Sequence, residues 1–230
     1  FRGLLFFVNP RGTMASCEMF RVAWFPHIST QFSNPAARLL KELAMAAKLH
    51  FRYGSMNTGK STQLLQIAYN YEEGGQKIRL FTAAIDDRSK IGHVSSRLGA
   101  SRQAEVFAAD TDFLALLRED EGLRCILIDE AQFLTTRQVQ QLHMLVAMHN
   151  IPVMCFGLRT DFLGEPFDGA ARLLALAEDL QEIKAVCSCG RKSTMNLRIT
   201  DGGQKVTEGE QILIGGNSRY RQVCARCFYS

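Results

Sequence analysis

A chain of 230 residues has room for one α/β domain and a small appendage. No stretch reaches the roughly 18–20 apolar residues of a membrane span, so the sequence gives no ground for a membrane partner. The net charge of +4 lies in the first 48 residues, where six Lys/Arg stand against two acids; the rest is balanced, 21 against 21, which argues against a nucleic-acid partner.

Residues 1–44 mix aromatics with Pro10, Pro26 and Pro35 without a period. The run Gly3–Val8 is apolar but short for a signal h-region. An extension, disordered or artefactual, is expected here, with a transit peptide as the alternative and Met45 as the natural start. From Leu49 onward strand and helix patterns alternate, which predicts a parallel sheet with helices on both faces. The first strand is Leu49–Tyr53. It runs into Gly54-Ser55-Met56-Asn57-Thr58-Gly59-Lys60-Ser61, a G-x-x-x-x-G-K-S phosphate loop. Glycines let successive N–H groups converge on phosphate oxygens, Lys60 offers a mobile charge, and Ser61 a hydroxyl for Mg²⁺. The following helix, Ser61–Tyr69, puts its positive end at the phosphates.

A second strand is predicted at Lys77–Thr82, with Ile85-Asp86-Asp87-Arg88 at its carboxyl end, where open α/β sheets bind ligands. Residues 88–103 are rich in Ser, Gly and basic side chains and read as a mobile loop. Ala104–Phe107 follows as a short strand and residues 111–120 as a helix. The apolar run Cys125–Ile128 ends in Asp129-Glu130. A helix over 135–149, a strand Val153–Phe156, a helix Ala170–Asp179 and a last main-sheet strand Glu182–Val186 complete the pattern. Cys125 and Cys155, inside apolar strands, read as inert core residues.

Asp129 and Glu130 occupy the end of a buried strand, where the Walker B acid belongs. Asp129 would serve Mg²⁺, and Glu130 could take a proton from an attacking oxygen. The pair does not say whether that oxygen belongs to water or to a substrate hydroxyl. Two cysteine pairs, Cys187-Ser188-Cys189 and Cys224-Ala225-Arg226-Cys227, are separated by 34 residues. Four thiolates on one ion is the structural zinc arrangement, though C-x-C is tighter than the usual spacing; disulfides are the alternative. Between the pairs, Glu208–Tyr220 is either a ligand-covering loop or an exposed hairpin.

These pieces, in this order, resemble the zinc-containing thymidine kinases of cells and bacteria over about residues 46–230. Carrying the resemblance are Gly54–Ser61, Ile85–Arg88, Val94-Ser95-Ser96-Arg97, Asp129-Glu130-Ala131-Gln132-Phe133, Phe156–Phe162, both cysteine pairs and Ile214-Gly215-Gly216-Asn217. The resemblance implies transfer of the ATP γ-phosphoryl group to the 5′-hydroxyl of thymidine or deoxyuridine in pyrimidine salvage, with Glu130 as catalytic base. It implies that Asp86, Asp87, Arg88, Asp129 and Gln132 serve ATP beside the phosphate loop. It further implies a "lasso" loop, Gln211, Ile212, Leu213, Ile214 and Gly215, that holds the pyrimidine through main-chain atoms. Tyr220 and Phe162 match substrate contacts, and Met56, Phe133, Leu158 and Phe167 match apolar pocket positions.

Expected cofactors are structural Zn²⁺ on Cys187, Cys189, Cys224 and Cys227, and Mg²⁺ with ATP on Ser61 and Asp129. A cytoplasmic homotetramer inhibited by dTTP is expected too. The domains would be the extension (1–44), a P-loop kinase body (45–186) and a small zinc-bound β-rich lasso lobe (187–230). Family members tend to continue past the last cysteine pair, whereas this chain ends at Ser230. The competing reading is a P-loop ATPase whose zinc lobe binds a macromolecular partner. A non-catalytic zinc-ribbon adaptor would leave Lys60, Asp129 and Glu130 without a use.

Overall fold

The computed structural model describes residues 46–85, 92–212 and 219–230. The chain divides into two units, Phe1–Leu43 and Ala44–Ser230. The first lies outside the described residues, and with it the expectation for residues 1–44. So do Asp86–Arg88 and Leu213–Gly215.

Six strands form one sheet in which every pairing is parallel. They are β1 (Leu49–Tyr53), β2 (Lys77–Ala83), β5 (Glu105–Phe107), β6 (Leu123–Ile128), β7 (Val153–Gly157) and β8 (Asp179–Glu182), in the order β5-β2-β6-β7-β1-β8. Helices α1 (Lys60–Glu73), α2 (Phe113–Leu117), α3 (Thr136–His149) and α4 (Asp168–Leu176) connect them. The sheet is apolar on both faces because helices cover both. Along β6, Ile126 and Ile128 point into a core built with Phe113, Leu142 and Leu173 of α2, α3 and α4. Cys125 and Leu127 point the other way, onto Leu64, Leu65 and Ala68 of α1. Each fully buried Phe or Leu contributes about 1.5–3 kcal/mol. Burial pushes the Cys125 thiol up to about 12 and raises Cys155 as well, in keeping with inert core residues.

Local chemistry fixes the helix starts. α3 opens on a capping box: the Thr135 hydroxyl accepts from Gln138 N at 3.2 Å and the Gln138 amide oxygen accepts from Thr135 N at 2.9 Å. Asp112 caps α2 through Ala115 N, which starts the helix at Phe113; it ends at Leu117, five residues rather than the ten of 111–120.

Two sequence expectations need correction. The mobile loop over 88–103 is, from His93 on, a hairpin of β3 (His93–Ser95) and β4 (Ser101–Gln103). Only Val94 of its six strand residues is buried, so no apolar pattern announced it. The last main-sheet strand is β8, ending at Glu182, not Glu182–Val186. Tyr53 O accepts from Ile183 N, and the chain then leaves the sheet: β9 (Ala185–Val186) pairs with β10 (Lys192–Ser193). The final ribbon joins β11 (Met195–Arg198) to β12 (Tyr220–Val223), and α5 (Ala225–Tyr229) closes the chain.

Candidate active site

β7 lies between β6 and β1, so the loops leaving β1 and β6 open on the same carboxyl edge of the sheet, one strand apart. The phosphate loop leaves β1. Gly59 has φ +85, a left-handed conformation that lets α1 start directly at Lys60. At Gly54 a Cβ would come within 2.8 Å of Ile183 O, so only glycine allows the loop to lie this close to the chain after β8. Lys60 is buried and donates from Nζ to Ser55 O at 2.8 Å. Ser61 donates its hydroxyl to Asp129 Oδ2 at 2.9 Å, which joins the phosphate loop to the end of β6.

Glu130 is 5 % exposed and sits at φ 52, ψ 40, a left-handed position that a non-glycine residue holds at a cost of about 1–3 kcal/mol. Its carboxylate accepts from Gln132 Nε2 at 2.5 Å, and Gln132 Oε1 in turn accepts from Leu158 N at 3.0 Å. Gln132, expected near ATP, is thus a buried brace between Glu130 and the segment after β7. A cleft of about 900 Å³ is lined by the phosphate loop from Met56 onward, Asp129, Glu130, Leu158 and the β3–β4 turn Ser95–Leu98. That turn brings Arg97 to the cleft wall. Arg97 had no role assigned from the sequence, where its only signal is a basic residue following two serines.

Of the expected nucleoside positions, Met56 and Leu158 line this cleft. Phe133, Leu158 and Ile212 are partly buried against the core that holds Phe167, and the Phe133 and Phe167 rings meet edge to face at 5.9 Å. Phe162 is 1 % exposed, and the Arg198 guanidinium lies 3.6 Å from its ring centre. Gln211 donates to Asp161 Oδ2, and the Tyr220 hydroxyl accepts from Arg198 Nε at 2.8 Å. The expected lasso residues Leu213, Ile214 and Gly215, and the ATP positions Asp86, Asp87 and Arg88, lie outside the described residues. Arg198 and Asn196, both buried, went unnoticed in the sequence.

The sulfur atoms of Cys187, Cys189, Cys224 and Cys227 lie within 4.8 Å of one another, with Cys189 at 3.5 Å from both Cys187 and Cys224. A zinc tetrahedron with bonds of about 2.3 Å has edges of about 3.8 Å, so the donor set fits the ion. All four are free thiols, not disulfides. The N–H groups of Cys189 and Cys224 pull the Cys187 thiol down to about 6, while hydrogen bonding with Cys189 pushes Cys227 up to about 12. A thiol favouring its anion among sulfurs that share the remaining protons is a set a cation can displace protons from.

A main-chain phosphate cradle tied through Ser61 to a buried carboxylate pair on a parallel sheet defines the P-loop nucleotide-binding class. The thymidine kinase family model matches residues 47–228. The thymidine kinase of Chromobacterium violaceum is 58 % identical over 184 residues, covering 80 % of this chain and 98 % of its own length. Those of Albidiferax ferrireducens (51 %, covering 80 % and 92 %) and Vibrio cholerae (52 %, covering 77 % and 94 %) are similar over nearly the same stretch. The chain belongs to the thymidine kinase family.

Proposed function

We propose that the cleft transfers the γ-phosphoryl group of ATP to the 5′-hydroxyl of thymidine, and of deoxyuridine, giving the monophosphate and ADP, with Glu130 as general base. Membership of the thymidine kinase family supports the reaction and the substrate. The observation that carries the residue assignment is Glu130, buried and aimed by Gln132 in the same cleft as the phosphate loop. The main chain of Gly54–Ser61 and Lys60 would hold the phosphates. The 5′-oxygen attacks the γ-phosphorus as its bond to the ADP bridging oxygen breaks; the departing electron pair goes to ADP. The hydroxyl proton passes to Glu130 and then to solvent.

Ser61 and Asp129, two oxygen donors 2.9 Å apart, fit a hard cation and would hold Mg²⁺. Bound there, Mg²⁺ neutralises charge on the outer phosphate oxygens. Asp86–Arg88 would add to the ATP side. The nucleoside side would be the 211–215 loop with Tyr220, Phe162 and the apolar positions Met56, Phe133, Leu158 and Phe167. In this reading residues 45–186 are the kinase body and 187–230 the lobe that carries the lasso, stapled by Zn²⁺ on its four cysteines. No helix among the described residues is long and apolar enough to cross a membrane. A cytoplasmic homotetramer with dTTP as feedback inhibitor and no nucleic-acid partner completes the proposal, supported by the resemblance alone.

The test is ATP consumption with Mg²⁺, with and without thymidine, following ADP and thymidine monophosphate together. Matched, thymidine-dependent formation of both is expected. ADP release indifferent to thymidine would overturn the reading in favour of an ATPase.

A further inference from the structure

By alternation, the strand Met195-Asn196-Leu197-Arg198 should bury its two apolar residues. The structure does the reverse: Asn196 and Arg198, on one face of β11, are 3 % and 5 % exposed, whereas Met195 and Leu197 are only partly buried, beside the cysteine cluster. Burying an amide and a guanidinium is costly unless their bonds are made. Each makes them to a different substrate loop. Asn196 Oδ1 accepts from Met56 N, in the middle of the phosphate loop, at 2.7 Å, and Asn196 Nδ2 donates to Thr160 O at 3.1 Å. Arg198 donates to Glu210 O at 2.8 Å and Gln211 O at 3.2 Å, where the chain enters the 211–215 loop, and to the Tyr220 hydroxyl beyond it. No carboxylate is among the hydrogen-bond partners of Arg198 in the described residues. Its fork is spent on neutral oxygens, and its face is stacked on Phe162.

We propose that β11 positions both substrate loops: Asn196 sets the phosphate loop, and Arg198 sets the two ends of the nucleoside loop, in fixed register to one another. Two residues apart on one strand face, they are separated by about 6.6–6.8 Å of backbone rise, and the β11–β12 pairing anchors that strand to the cysteine lobe. Neither residue touches a reacting atom; both are positioning residues. Lysine cannot replace Arg198, because a point ammonium cannot serve two carbonyls and a hydroxyl in one plane. This inference rests on the functional reading above.

The test compares Asn196→Ala with Arg198→Lys, and with Arg198→Gln should the lysine variant not fold, in the full chain. KM for ATP, KM for thymidine, kcat and Tm are measured for each. Asn196→Ala is expected to raise KM for ATP by about tenfold, the scale of one lost buried hydrogen bond, and KM for thymidine by clearly less, through the Met56 side chain alone. Arg198→Lys is expected to do the opposite, by about tenfold or more on thymidine. Amide exchange at Met56 should quicken in Asn196→Ala and not in the Arg198 variants. KM values that move together in both variants, or stay put while Tm falls, would overturn the inference and show a merely structural role. A wild-type enzyme without thymidine-dependent turnover would instead overturn the functional reading.

Discussion

The carboxyl edge of the sheet and the cysteine lobe hold their residues by different means. At the sheet edge, Ser61, Asp129 and Glu130 stand on a large apolar core: β6 and β7 are buried along most of their length, β1 through Leu49 and Phe51, and the loops between them inherit that rigidity. Among the described residues, the lobe's apolar cluster holds four buried residues, Cys187, Val223, Cys224 and Phe228, two of them members of the thiol cluster. Ribbons of two and four residue pairs bury too little to order themselves, so polar ties, together with the cation that the four thiols could hold, supply the rest. The sheet edge is therefore held mainly by packing, and the lobe mainly by its polar ties and thiols.

The largest test of this contrast is at the metal centre. Cys224→Ser, or removal of the metal by a strong chelator, is expected to cost the lobe most of a stabilisation on the order of 10 kcal/mol. Amide exchange should rise throughout 187–228 and zinc content should fall, while the protection of β1, β6 and β7 persists. A uniform rise across the sheet would erase the distinction.

On the rigid side, Glu130→Gln is expected to keep both substrates bound and to lower kcat at least ~100-fold, the general-base scale. Steady-state kinetics beside equilibrium binding measures it; near-normal turnover removes Glu130 from its role. Gln132→Met tests the brace: with the Glu130 carboxylate no longer held, a loss in kcat of about tenfold is expected with both KM values within about twofold. A change confined to KM for ATP would instead support the ATP-binding role that the family resemblance implies for Gln132.

The smallest effect lies far from both sites. Asp120 is held by Lys77 and, at 2.7 Å, by Arg79, and these partners, Lys77 first, keep its carboxyl below the usual range. That stabilisation is fully present above the unfolded carboxylate pKa of about 4 and is lost as pH falls through the folded value. Asp120→Asn should remove about 1 kcal/mol at pH 7, since Lys77 is half exposed, and less as pH falls through the folded value. Tm against pH would show the two curves converge in acid; parallel curves would mean the pair contributes nothing.

The phosphate loop, the carboxylate pair, the cysteines and five of the sheet's six strands were legible because each is a local pattern. A glycine spacing, an apolar run ending in acids or a thiol pair carries its chemistry within about eight residues. Legibility failed where the pattern was weak or belonged to a partner. The β3–β4 hairpin has almost no apolar face, and β8 is an edge strand with Leu180 half exposed, so its register with β1 had no alternation to reveal it. Arg97 reaches the cleft only because that hairpin folds over the phosphate loop.

By itself, the sequence determined the class of sheet, the nucleotide loop, the acid opposite it and the four cysteines that cluster. It did so because glycine torsions, thiolate softness and strand alternation act between neighbours in the chain. Tertiary structure alone decided that Gln132 aims Glu130 by way of Leu158 N, and that Asn196 and Arg198 turn inward while Met195 and Leu197 face the thiols. Those choices depend on which oxygens and N–H groups, dozens of residues away, need a partner once water is excluded.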